Sequence, residues 1–179
     1  MPKMSETSCA APPSREALPP EAKLAFLRQP SSYAEAPYRV ETVETHMAWV
    51  FLTTHHAWKL KKPVCYDSID FRTMAARHHF CSEEVRLNRR LASDVYLGVV
   101  PLALNADGHL ELGGNGEPVD WLVRMRRLPG NFMLDYVLRH GHASTRDMQC
   151  IAARLVEFFQ SLPPVDIDAS AYRERYARQ

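Results

Sequence analysis

No run of about 18 apolar residues occurs in this 179-residue sequence, and its first twenty residues, rich in Pro, Ser and Ala, hold no apolar leader core. A membrane-spanning helix and an export signal are therefore not expected. Cysteine is sparse. Cys9, Cys65, Cys81 and Cys150 stand far apart without a CxxC pair, which argues against a disulfide framework or a zinc knuckle and suits a reducing cytoplasm. Charge of one sign is missing as well: 22 basic against 21 acidic residues leave a net charge of +1, so composition indicates neither a nucleic-acid nor a membrane partner. Glycine occurs only seven times. Its one rich stretch, GGNGEP, lacks the GxxxxGK spacing of a phosphate-cradling P-loop and reads as a hairpin connection.

What is present suffices for one sizeable core with a small appended lobe: 46% of residues are hydrophobic and 24% charged. Residues 1–20 read as a mobile tail. EAKLAFLRQP predicts a short helix that braces a sheet through Leu24 and Leu27 and stops at Pro30. YRVETVET, MAWVFLT and AWKLKKPV alternate as strands, with TTHH turning the second into the third. FRTMAARHHFCSEEVRLNRRLA is free of Pro and Gly and predicts a helix, followed by strand patterns in YLGVVPLAL, HLEL and VDWLVRMRRLP. After Leu128 the pattern turns helical. Ser144 and Asp147 form a capping-box signal, and Met148, Ile151, Ala152, Leu155 and Phe159 fall on one apolar face.

Three lysines, Lys59, Lys61 and Lys62, stand in a strand pattern beside Trp58 and Leu60. Strand alternation puts Lys59 and Lys61 on one face. On the helix, the spacing of Phe80, Glu84, Leu87 and Leu91 predicts a core-facing stripe with Glu84 in its middle. A carboxylate there needs a cation, and the preceding strand supplies one. A solvated Lys-rich edge is the bland alternative.

VETHMAWVFLTTHHAWKLKKPV, DFRTMAARHHFCSEEVRLNRRLASDVYLGVVPL and VRMRRLP, in this order, resemble the N-terminal part of a bacterial family of aminoglycoside-phosphotransferase-like proteins with a protein-kinase-like fold, often fused to a P-loop ATPase domain. The resemblance covers about residues 21–165. It implies an α+β lobe over 21–128, a five-stranded antiparallel sheet with one inserted helix, and the first helices of an incomplete second lobe over 129–179. It implies ATP as ligand with Mg²⁺ as its companion. Lys61 then resembles the phosphate-binding lysine, with Lys59 as alternative, and Glu84 its helix partner; Met125 would lie behind the adenine, with Arg126, Arg127 and Leu128 as the hinge.

The family's HGDxHxxN-like loop does not occur; RHGHAST lacks its Asp, and no asparagine follows Asn131. The chain thus reads as stopping before the catalytic loop, binding nucleotide weakly and transferring nothing. Asp166 and Asp168 read as loop acids. VETHMAW offers Thr45 and His46 but no glycine where a loop would cover phosphates. The pairs His55/His56 and His78/His79 lack a completing ligand set, and Arg86, Arg89 and Arg90 read as a solvated helix face. The alternative function is a non-catalytic scaffold that meets a partner, or a second copy, through the face around Ile151, Leu155 and Phe159.

Overall fold

The computed structural model describes residues 18–66, 69–164 and 166–177. The predicted tail over 1–20 lies outside the described residues as far as residue 17. The chain divides into two compact units, 1–128 and 129–179.

The first unit is an α+β fold built on an antiparallel sheet. Its strands are β1 (Glu41–Glu44), β2 (Ala48–Leu52), β3 (His56–Lys61), β6 (Tyr96–Leu104), β7 (Leu110–Leu112) and β8 (Glu117–Arg126), in the order β1-β2-β3-β8-β6-β7. The sheet has six strands, not the five expected. The short β7 completes a hairpin with β6, pairing Leu102 with Leu112 and Leu104 with Leu110, which brings Leu110 and Leu112 against the core. A separate two-stranded hairpin, β4 (Cys65–Tyr66) with β5 (Ile69–Asp70), had no signal in the sequence pattern.

Alternation sorts each strand between two helices. On one face Phe51, Trp58, Leu60, Leu102 and Leu122 pack with Leu27 of α1 (Pro20–Leu27) and with Tyr33. On the other, Val123 packs with Cys81 and Val85 of α2 (Met74–Asn88). Proline at the first turn of α1 starts a helix without loss of an intrahelical bond. Thr73 caps α2 by accepting the Ala76 N–H.

The core stripe of α2 differs from expectation. Arg77, Cys81 and Val85 face inward, whereas Leu87 and Leu91 are exposed and Phe80 is only half-buried. The helix ends at Asn88, so Leu91 falls outside it. The apolar count failed because an arginine takes the inward position. Arg77 Nε and Nη2 donate to Asp120 of β8 at 2.8 and 3.0 Å, and Nη1 donates to the carbonyls of Phe71 and Arg72. From α1, Lys23 Nζ reaches the same carboxylate at 2.7 Å and the Val119 carbonyl at 2.9 Å. All three charged groups are buried.

The GGNGEP stretch is not the hairpin connection expected: β7 and β8 flank β6 on opposite sides, each antiparallel to it, so the stretch crosses from one side of β6 to the other. Its Gly116 backs onto the neighbouring strand so closely that a Cβ would stand 1.9 Å from the Leu104 carbonyl oxygen. Only glycine fits there.

The second unit is helical: α3 (Leu134–Arg139), α4 (Thr145–Gln160) and α5 (Ala169–Ala177). Ser144 and Asp147 close the predicted capping box. Met148, Ile151, Leu155 and Phe159 are all exposed, and none of the described residues of this unit is buried. Asp168 stands before α5, accepting the Ser170 hydroxyl and then the Ala171 and Ser170 N–H groups, which holds its carboxyl below the usual range. No helix among the described residues is long and apolar enough to cross a membrane.

Candidate functional site

Lys59 and Lys61 leave β3 on the same side and converge on one carboxylate of α2. Lys59 Nζ donates to Glu84 Oε1 at 2.8 Å, and Lys61 Nζ donates to Oε2 at 2.6 Å. Glu84 flanks the inward stripe, one position from Val85, so it meets the sheet without entering the core. The two lysines differ in surroundings: the Lys61 side chain is 7% exposed and its ammonium sits 5.0 Å from the centre of the Phe71 ring, whereas Lys59 is 30% exposed. Glu84 is 14% exposed.

Burial works against the charge on Glu84, but the hydrogen bonds and charges of Lys59 and Lys61 outweigh it, holding the carboxyl below its ordinary value. The acids alongside stay protonated near neutrality. Burial pushes the Cys81 thiol up to about 12, and burial followed by the Glu84 charge raises Tyr96. The result is a hydrogen-bonded cluster of two cations on one carboxylate.

Met125 lies opposite Ala57 of β3 and Tyr96 of β6 and joins the α2 side of the core. Arg126 donates its N–H to the Val95 carbonyl and its guanidinium to Asp94. Arg127 donates its N–H to the His55 carbonyl and Nη1 to the Thr53 carbonyl. Leu128 is exposed. The backbone N–H groups of Arg126 and Arg127 are thus held by the protein itself.

Other sequence candidates are otherwise occupied. Thr45 Oγ1 donates to the Ala48 carbonyl and accepts the Ala48 N–H, closing a tight turn between β1 and β2, so its hydroxyl is spent within that turn. His56 Nδ1 lies 3.3 Å from Glu35, and the His78 ring lies tilted against that of Trp121, 4.0 Å between centres. Arg86 pairs with Glu83, and Arg89 donates to the carbonyls of Tyr96 and Leu97. Among the described residues no three His, Cys, Asp or Glu side chains converge as a metal site.

Sequence reasoning missed the buried Lys23, Asp120 and Arg77 group. Its one available signal was Asp120 itself, an acid inside the apolar strand pattern VDWLV. It also missed Glu35, whose carboxylate binds the Thr53 hydroxyl and the His55 N–H.

Fold and site together define an α+β protein in which a sheet carries a lysine pair bound to a helix glutamate. No family model and no solved structure matches the chain. Proteins of Mycobacterium bovis and of two Mycobacterium tuberculosis strains, each described only as an uncharacterized protein, are 37% identical to it over 121 residues. The match covers 68% of this chain and 22% of theirs. The chain spans about a fifth of the length of the curated relatives it matches.

Proposed function

We propose that the chain is the nucleotide-holding lobe of an aminoglycoside-phosphotransferase-like small-molecule kinase, a protein-kinase-like N-terminal lobe that orients the phosphates of ATP. The observation that carries this reading is the convergence of Lys59 and Lys61 from β3 on Glu84 of α2. A compact ammonium suits phosphate oxygens, and a carboxylate behind it keeps the side chain extended while no ligand is bound. The hydroxyl acceptor of such a kinase would be activated by a base loop of the HGDxHxxN type, which the sequence does not contain. The reading therefore assigns this chain binding and not transfer. Among the described residues no group of three His, Cys, Asp or Glu side chains converges to hold a resident Mg²⁺.

In this reading Met125 backs the adenine, and Arg126 to Leu128 run along its edge. The tight Thr45 turn gives the phosphates no glycine loop, which concentrates their binding on the lysine cluster at Glu84. A cytoplasmic setting, where ATP is abundant, accords with the free thiols of Cys65, Cys81 and Cys150.

Isothermal titration with Mg-ATP tests the proposal. Saturable heat from the native chain, lost in a Lys59→Met/Lys61→Met variant that still shows the native circular-dichroism spectrum, supports it. No heat from the native chain overturns it.

A second reading, a non-catalytic scaffold, draws on one observation: the second unit buries none of its described residues and leaves the α4 face of Ile151, Leu155 and Phe159 open. Its mark would be concentration-dependent association of the purified chain, abolished by Leu155→Glu, together with no response to ATP.

A further inference from the structure

Two clusters in the first unit each join two cations to one carboxylate, and they dispose of the surplus positive charge differently. Around Asp120, Lys23 and Arg77 turn further donors to backbone carbonyls: Val119 receives Lys23, and Phe71 and Arg72 receive Arg77. Lys23 thus places two of its donors and Arg77 four, and all three groups are buried. Around Glu84, among the described residues, no carbonyl accepts from either ammonium. Among the described residues each ammonium has one carboxylate oxygen as its hydrogen-bond partner. Lys61 presents its remaining side to the Phe71 ring in a nearly closed setting, whereas Lys59 faces solvent. An ammonium has three donors, and a partly desolvated surplus cation favours an anion beside it.

We propose that the two lysines have separate roles: Lys61 is a positioning residue that stays with Glu84 and Phe71 in every state, and Lys59 is the cation that leaves the carboxylate to meet an incoming polyphosphate. This deepens the nucleotide reading, on which it rests for the identity of the anion, and it reverses the order in which the sequence ranked the two residues. Lys61 holds Glu84 by the oxygen that Lys59 does not use, so departure of Lys59 leaves the carboxylate paired. Without Lys61, the same departure would strand Glu84 as a poorly solvated anion, and Glu84 would hold Lys59 back. The neighbouring titratable groups, Cys81 on α2 and Tyr96 on β6, are uncharged, and Asp120 on β8 is neutralised by its own two cations.

The test uses inorganic tripolyphosphate and the full chain labelled with nitrogen-15, following the side-chain ammonium signals assigned with Lys59→Arg and Lys61→Arg. Tripolyphosphate is expected to move the Lys59 signal and leave that of Lys61 in place. Lys59→Met should weaken binding about tenfold or more, the worth of one charge-assisted hydrogen bond. Lys61→Arg should retain affinity. Lys61→Met should lose affinity near neutrality and recover it, relative to the native chain at each pH, as acid protonates Glu84 and frees Lys59. A structural role alone would not produce that acid recovery. Displacement of the Lys61 signal, or silence at Lys59, overturns the assignment. An ATP response carried by Lys61 would spare the nucleotide reading and defeat this one; a tripolyphosphate response at Lys59 without any ATP binding would do the reverse.

Discussion

At Asp120 a single carboxylate pairs with groups from two helices, accepting Lys23, Arg77 and the Trp121 N–H. Removing it would leave two buried cations without a counter-charge. Asp120→Ala is therefore expected to destabilise the first unit by about 3–5 kcal/mol, measured as a shift in the urea midpoint. Gly116→Ala is expected to cost about 2 kcal/mol in the same assay, because the added Cβ meets a backbone carbonyl that cannot step aside. Glu84 and Glu35 carry a pH signature. Both have folded-state values below the ordinary 4.5, so the stability they contribute is complete above that pH and is lost as pH falls through the depressed values. Denaturation midpoints followed from about pH 6 down to about pH 3 should fall, and the fall should be shallower in Glu84→Gln.

At the scale of the element, alternation in β3 was legible because Trp58 and Leu60 bracket Lys59, and the face they define is the one observed. The Ser144 and Asp147 pair was equally plain, since a capping box depends on four consecutive residues and little else. The inward face of α2 was not legible. Hydrophobic periodicity treats arginine as outward, and Arg77 is inward because Asp120, 43 residues away, accepts it. No local rule contains that pairing. The β4–β5 hairpin escaped for a related reason: two residues on each side give no period to detect. Glu84 was found despite the misplaced stripe, because it flanks the true stripe closely enough to meet β3. Ser144→Ala should lower the helicity of α4 and cost about 1 kcal/mol where that helix is stable, read by circular dichroism.

For the whole molecule, the two units differ in what they bury. Both core clusters belong to residues up to Val123 with Met125 at their margin, and the described residues from 129 onward contribute none. Backbone hydrogen bonds within α3, α4 and α5 therefore lack a protecting core. Limited proteolysis of the chain is expected to cut first between 129 and 177 and to leave a resistant fragment ending near Leu128. Survival of the helical segment with loss of the sheet would contradict this.

The bridge through Asp120 also sets an order of events. The carboxylate partner of Lys23 emerges from the ribosome 97 residues after it, once the chain between them has already left the exit tunnel. Helix α1 must therefore wait for β8 before the charge of Lys23 is answered, and its docking belongs to the late, long-range phase of assembly.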